Sequence, residues 1–293
     1  MARAQANGIE LEYDTFGDPG DPALLLIMGL GAQLIAWDVD FVRLLVDRGL
    51  HVIRYDNRDV GLSTKIEGGP QPDIFAAMQG DTSSASYTLR DMAADGAGLL
   101  DALGIERAHI GGASMGGMIA QTFAIDFPER TLSLCSIMST TGDSNVGGSS
   151  PAAIEAILAP PPATREEAMD RAEKATTVFG AKGLPIDMAK VRERAGEAFD
   201  RMAYPIGIAR QIVAIRASGD RTPQLQELDT PTVVIHGSDD ELVLPTGGEA
   251  TAKAIPGAEL VVIEGMGHDL PTGAWPQVVD AIAANIGRAG ARR

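Results

Sequence analysis

Cysteine is nearly absent from this chain of 293 residues, which contains only Cys135. A single cysteine cannot form a disulfide within the chain, so nothing in the sequence demands an oxidising compartment. Cys135 lies in the apolar run 132–138, where a buried structural role suits it better than that of a catalytic thiol. A chain of this length can bury a large core without disulfides or metals.

Positive charge is also scarce, because 24 Lys and Arg face 40 Asp and Glu and leave a formal net charge of −16. An acidic chain repels nucleic acid and anionic membranes, so neither is expected as a partner. No apolar run approaches the roughly 20 residues of a membrane-spanning helix. Residues 1–8 lack the apolar core of a signal peptide. The sequence therefore predicts no membrane span and a cytoplasmic location.

Short apolar runs rich in Leu, Ile and Val alternate with stretches of helical periodicity. This alternation predicts an α/β fold, with a mostly parallel central sheet flanked by helices. One helix is expected to follow Thr88, with Asp91 completing a capping box, and to stop at Gly104. The runs that we interpret as strands are residues 23–28, 51–55, 108–112, 132–138, 232–236 and 259–263.

The alternation breaks between about residues 141 and 229, where Gly and Pro interrupt helical periods and no strand pattern is found. We expect this stretch, the helical insertion, to form a cap over one end of the sheet. The core would then comprise residues 1–140 and 230–293. Some apolar residues of the insertion should line a largely apolar pocket. The candidates are Ile154, Ile157, Leu158, Met169, Val178, Phe179, Met188, Phe199, Met202, Tyr204, Ile206 and Ile208.

The first motif with chemical content is Gly-Ala-Ser-Met-Gly at residues 112–116, a G-x-S-x-G sequence. It stands between a predicted strand and a predicted helix, which places the serine on a tight turn with its hydroxyl exposed. Glycines at both ends suit a close approach of strand and helix, and the helix N-terminus favours developing negative charge. Ser114 is therefore the predicted nucleophile.

A serine hydroxyl needs a base, and the chain has four histidines. His51 and His109 fall in predicted strands, so packing roles suit them. His236 ends a strand close to where the site is expected, but a packing role suits it better. His268 lies in a glycine-rich loop after the last predicted strand, where α/β sheets place their chemistry. His268 is therefore the predicted general base.

The acid that orients this histidine should follow the penultimate strand, where three carboxylates crowd residues 239–241. Asp240 and Asp239 are both candidates, although Asp239 could simply stabilise a turn. Asp143, after an earlier strand, is a more remote alternative. The expected oxyanion donors are two backbone N–H groups, from Met115 after the nucleophile and from Leu30 in the loop after the first buried strand.

Together these motifs resemble the α/β-hydrolase superfamily over nearly the whole chain. Residues 54–63 match its D-x-R-x-x-G-x-S loop, which mainly holds structure in that family. The closest resemblance is to aclacinomycin methylesterase-like and LipG-like carboxylesterases, through Met28-Gly29, the loop 55–59 and the Gly-Met-Gly-His run 265–268. The resemblance favours Asp240, because the family's acid stands third after the glycine of a G-x-x-D turn. Met28 stands where the family commonly has a histidine, so a hydrogen-bonding side chain is lost and the backbone donor is kept.

The expected activity is hydrolysis of a small-molecule carboxylic ester through an acyl-enzyme on Ser114, with apolar, uncharged esters of short to medium length preferred and charged acids excluded. An enol-lactonase or a cofactor-free perhydrolase with the same triad is an alternative. A ligand receptor on a non-catalytic scaffold is a third hypothesis, disfavoured by the intact Ser, Asp and His. No cofactor and no metal is expected, because no ligand cluster has metal spacing. The sequence does not indicate an oligomeric state.

Overall fold

An eight-stranded sheet forms the centre of the molecule in a computed structural model that describes residues 1–291. Its spatial order is β1-β2-β4-β3-β5-β6-β7-β8. Strands β3 to β8 pair in parallel, whereas β1 and β2 are antiparallel to their neighbours. The strands are β1 Ala2–Ala6, β2 Ile9–Phe16, β3 Ala23–Ile27, β4 His51–Tyr55, β5 Ala108–Ala113, β6 Thr131–Ile137, β7 Thr232–Gly237 and β8 Glu259–Ile263.

Eleven α-helices accompany this sheet within the described residues. They are α1 Val39–Val46, α2 Ile74–Met78, α3 Leu89–Ala102, α4 Met115–Asp126, α5 Pro151–Leu158, α6 Arg165–Phe179, α7 Met188–Arg201, α8 Pro205–Ser218, α9 Thr222–Leu225, α10 Thr246–Ala254 and α11 Trp275–Ala291. The predicted α/β fold with a mostly parallel sheet is confirmed. No helix within residues 1–291 combines the length and the apolar character needed to cross a bilayer.

The core has two layers, because successive strand residues point to opposite faces of the sheet. In β3, Leu25 and Ile27 pack into one cluster with α3 and α4, whereas Leu24 and Leu26 pack into another with α1 and α11. Cys135 is buried in the second cluster, in the structural role that the sequence predicts. Burial on both faces explains why these strands read as continuous apolar runs.

The predicted helix after Thr88 is α3. The Asp91 carboxylate accepts hydrogen bonds from the Thr88 N–H and hydroxyl, both at 2.8 Å. Gly104 follows the helix with φ of +70°, a conformation that glycine adopts at little cost. Local sequence therefore determines both ends of this helix.

The helical insertion contains α5 to α9 and, as predicted, no strand between β6 and β7. Helices α6 and α7 pack on each other, and Arg192 joins them through ion pairs to Glu166, Asp170 and Glu173. The division of the chain into a core and a separate cap, at residues 140 and 230, stays a prediction.

Candidate active site

Ser114 occupies the single residue between β5 and α4, with a φ of +57° that non-glycine residues rarely adopt. Two glycines permit this sharp turn. A Cβ on Gly112 would lie 2.0 Å from the Gly116 carbonyl oxygen, and one on Gly116 would lie 2.1 Å from that of Ile27. The strand and helix therefore approach more closely than any side chain allows, and the serine projects from a strained corner.

Asp240 lies in the loop after β7 and binds His268, which lies in the loop after β8. Its Oδ2 is 2.7 Å from His268 Nδ1. Its Oδ1 accepts the N–H groups of Leu242 at 2.9 Å and Val243 at 2.8 Å. The carboxylate is 1% exposed, so these contacts fix its position and that of the ring. Because Nδ1 of His268 is bound to Asp240, Nε2 is the ring nitrogen left for a partner in the cavity. Ser114 lines the same cavity as His268.

His236 is a second histidine against the same carboxylate. Its Nε2 is 2.7 Å from the Val243 carbonyl oxygen and 3.4 Å from Asp240 Oδ2. Burial acts to raise the pKa of Asp240, but the charge of His268 and hydrogen bonds from His236, His268 and the Val243 N–H lower it to about 2. From the sequence, His236 was expected near the site in a packing role, and its contact with Asp240 was not predicted. Its place four residues before Asp240, at the end of a strand, was the available signal.

The other acid candidates lie elsewhere. The carboxylate of Asp239 accepts the Ser238 hydroxyl at 2.9 Å, and that of Asp143 accepts the Asn145 N–H at 2.9 Å. Asp143 does line the cavity that contains Ser114. The structure therefore brings Asp240, of the three candidates, to the imidazole of His268.

The loop after β3 passes directly over the serine. A Cβ on Gly29 would lie 3.1 Å from the Cβ of Ser114, so a larger residue would crowd this crossing. Leu30, the next residue, lines the cavity together with Met115. Met115 opens α4, and the first N–H groups of a helix have no partner within it. Both predicted oxyanion positions therefore lie beside Ser114.

Residues 54–63 brace this loop. Asp56 accepts the Leu34 N–H at 2.7 Å, and the Asn57 amide donates to the Met28 carbonyl at 2.8 Å. From the helical insertion, Gln211 Oε1 accepts the Gly31 N–H at 2.9 Å. Side chains from two distant parts of the chain thus hold the backbone on both sides of Leu30.

A cavity of about 970 Å³ opens beside Ser114 and His268. Of the insertion residues predicted to line it, Ile154, Ile157 and Phe179 do so. The prediction that Met169, Met188 or Met202 would do so was wrong. Helix α6, which carries Met169, buries no residue, and Met202 at the end of α7 is 39% exposed. The lining methionines come from outside the insertion and are Met28, Met78, Met115, Met118 and Met138.

Charged groups also line this cavity, which is therefore less uniformly apolar than the sequence suggested. Arg194 is paired with Asp38 at 2.7 Å. Arg221 is 6% exposed and donates to the Thr140 carbonyl at 2.8 Å and to Gln121 at 3.2 Å. Burial raises the pKa of Asp269 to about 6, against the N–H groups of Ala181 and Gly267, which favour ionisation. In the described part of the chain, no three His, Cys, Asp or Glu side chains group as metal ligands would.

Comparison with known proteins places this geometry in a family. A family model described as the alpha/beta hydrolase fold matches residues 22–271. Rhodomycin D methylesterase from Streptomyces peucetius is 30% identical over 302 residues, which cover 94% of this chain and 95% of the relative. The 3-oxoadipate enol-lactonase 2 of Acinetobacter baylyi is 28% identical over 260 residues, covering 88% and 86%.

Among solved structures, a thermophilic esterase from Thermogutta terrifontis superposes with a TM-score of 0.73. It is 26% identical in sequence, and the match covers 98% of each chain. Sequence and structure therefore agree on the fold over nearly the whole length, and the resemblance drawn from the motifs is confirmed.

Proposed function

Because the chain belongs to the α/β-hydrolase fold family, we propose that it hydrolyses small-molecule carboxylic esters with Ser114 as nucleophile, His268 as general base and Asp240 as the acid that orients it. The main support is the 2.7 Å hydrogen bond between His268 Nδ1 and the Asp240 carboxylate. The His268 imidazole and Ser114 also line the same cavity. A buried carboxylate at Nδ1 fixes the tautomer whose Nε2 can accept a proton.

The chemistry then runs in two halves. Nε2 of His268 takes the Ser114 hydroxyl proton as the oxygen attacks the ester carbonyl, and the N–H groups of Leu30 and Met115 stabilise the oxyanion. The alcohol leaves with the proton from His268, which forms the acyl-enzyme. Water then attacks the acyl-enzyme and gives a proton to His268, which passes it to the departing Ser114 oxygen as the acid is released. Asp240, with its pKa near 2, stays ionised throughout and balances the imidazolium.

Cavity size and similarity together suggest the substrate class. A space of about 970 Å³ holds a bulky acyl group of drug-like size or larger. The relative that is 30% identical is named a methylesterase. We therefore expect esters of a bulky acid with a small alcohol to react faster than esters of short acids.

The proposal is tested with a fluorophosphonate probe and an ester panel. The probe should label wild-type protein at Ser114, and Ser114→Ala should remain folded, unlabelled and inactive. The panel compares methyl esters of acids from two carbons to polycyclic size with lactones of matched size. Turnover by pure, folded Ser114→Ala would refute the mechanism. The second candidate, a lactonase, rests on the enol-lactonase that is 28% identical. It would replace the esterase if kcat/KM were higher for the cyclic substrates.

A further inference from the structure

The loop that carries His268 is bound to the start of the connection between α6 and α7. We name residues 265–269 the histidine loop and residues 179–183 the link segment. The His268 N–H donates to the Phe179 carbonyl at 2.6 Å. The N–H groups of Lys182 and Gly183 donate to the Gly265 carbonyl at 3.1 and 3.0 Å. The histidine therefore depends for its backbone position on a segment of the helical insertion.

The two segments pack backbone against backbone, which leaves no room for adjustment. A Cβ on Gly267 would lie 2.3 Å from the carbonyl carbon of Gly180, and one on Gly265 would lie 2.6 Å from the Cα of Gly183. The Phe179 ring also meets the His268 ring edge-on, at 6.1 Å between centroids. A shift of the link segment must therefore displace the imidazole, and a displacement near 1 Å can cost about 100-fold in rate.

Asp269 makes the side-chain hydrogen bond of this contact. Its Oδ1 accepts the Ala181 N–H at 3.0 Å, and the residue also lines the cavity. The charged or titratable groups around it are His268 on its own loop, Asp240 after β7 and Lys182 on the link segment. The Lys182 ammonium is bonded to the carbonyls of Thr177 and Val178, within and at the end of α6.

We propose that Asp269 is a positioning residue, whose bond to the Ala181 N–H locks the histidine loop onto the link segment and so holds His268 in register with Ser114. The inference rests on the proposed function, because it takes His268 as the base. An ionised carboxylate accepts a shorter hydrogen bond, roughly twice as strong as that of a neutral acceptor. Its charge also favours the imidazolium that forms during attack. Both effects vanish when the carboxyl is protonated.

The decisive experiment compares Asp269→Asn with wild type from pH 5 to pH 8, as a ratio of kcat/KM. Asparagine keeps an acceptor for Ala181 and lacks the charge. Burial raises the pKa of Asp269 to about 6, so wild type has the ionised bond above that pH and loses it below. The ratio of variant to wild type should therefore be lowest above pH 7 and rise towards one near pH 5, with its midpoint close to pH 6. A ratio independent of pH would overturn the proposal.

Two further variants separate positioning from packing. Asp269→Ala removes the acceptor, and we expect kcat to fall at least about tenfold with KM changed far less. Asp187→Ala is the matched control, because that carboxylate also accepts a backbone N–H of the helical insertion, from Lys190 at 3.1 Å, and its kcat should stay near that of wild type. Equal losses in the two alanine variants would count against the proposal. If Asp269→Ala does not fold, the pH dependence of Asp269→Asn alone decides.

Fluorophosphonate labelling distinguishes the two possible failures. Labelling at Ser114 together with Asp269 variants that behave as wild type would overturn the positioning role and leave the proposed hydrolase intact. No labelling, together with turnover by Ser114→Ala, would overturn the proposed function and with it the role of Asp269.

Discussion

Asp240 is the residue on which most contacts at the candidate site converge, since His236, His268 and two backbone N–H groups surround its carboxylate. Asp240→Asn keeps the shape and removes the charge that stabilises the imidazolium. We expect kcat to fall by about 10⁴. Asp239→Asn, the neighbouring control, should cost far less. Steady-state kinetics on both variants checks this, and a crippled Asp239→Asn would show that the acid is misassigned.

Asp240 should also contribute to stability in a defined pH window. Its pKa is about 2 in the folded chain, against about 3.9 for an unfolded aspartate. Because the pKa is lower in the folded chain, the ionised carboxylate stabilises the fold. This stabilisation is fully present above about pH 4 and is lost as the pH falls through 2. The amount is about 2–3 kcal/mol. Urea unfolding of wild type and Asp240→Asn at pH 6 and pH 3 measures the free energy of unfolding. The difference in this free energy between the two proteins should be roughly halved at pH 3. A difference that did not change between those pH values would contradict the depressed pKa.

Sequence motifs brought forward Ser114, His268 and, through the family's turn spacing, Asp240. They placed His236 near the site without its contact to Asp240, and they did not single out Asp269. The reason is physical, because a motif reports which residue follows which along a loop. It does not report that β7 and the histidine loop bury one carboxylate between two imidazoles, or that a residue of the link segment 88 positions away donates to Asp269.

At the scale of the element, the turn from β5 to α4 depends on tight glycine contacts. Gly112→Ala would place a Cβ 2.0 Å from the Gly116 carbonyl oxygen, so strand and helix must separate. We expect a loss of about 3 kcal/mol or more. Gly287→Ala is the matched control in the exposed interior of α11, where a Cβ meets nothing within 4 Å. It should stabilise the fold by about 0.5–1 kcal/mol. Denaturant unfolding measures both, and effects of the same sign would contradict the argument.

Periodicity predicted six strands, β3 to β8, within one residue at each end. Burial on both faces makes β3 to β7 continuous apolar runs, whereas β8 is an edge strand whose apolar residues Leu260 and Val262 are exposed. Periodicity missed β1 and β2. Those strands carry polar residues such as Arg3, Gln5 and Glu10 on a solvent-facing side, and they pair as antiparallel strands at the edge of the sheet. Their stability comes from pairing with each other and with β4, which no local pattern displays.

At the scale of the whole molecule, the cavity takes its walls from both the core and the helical insertion. Ile157 of α5 lines it, whereas its neighbour Leu158 is 36% exposed and does not. Ile157→Ala should therefore change relative kcat/KM across the ester panel and favour larger acyl groups. Leu158→Ala, the control, should leave the ranking of the panel unchanged. If both variants alter stability and neither alters selectivity, α5 does not shape the substrate pocket.

The sequence could place the insertion but not the direction of its side chains. Helical spacing made Met169, Met188 and Met202 equivalent to Ile154 and Ile157 as pocket candidates. Only the packed structure separates the two groups, because α6 and α7 present Phe179 and Arg194 to the cavity and not these methionines. The long-range geometry of the insertion is therefore the part that required a structure.

The buried thiol of Cys135 gives the folded molecule an internal reporter. Burial raises its pKa to about 12, so the native protein holds almost no thiolate at neutral pH. A thiol reagent can react only when β6 and its neighbours open, and its rate then measures the population of open molecules. Because the chain has one cysteine, all of the labelling reports opening of the structure around Cys135. Cys135 labelling can therefore rank every variant above by the free energy of opening its core, and no cysteine has to be introduced.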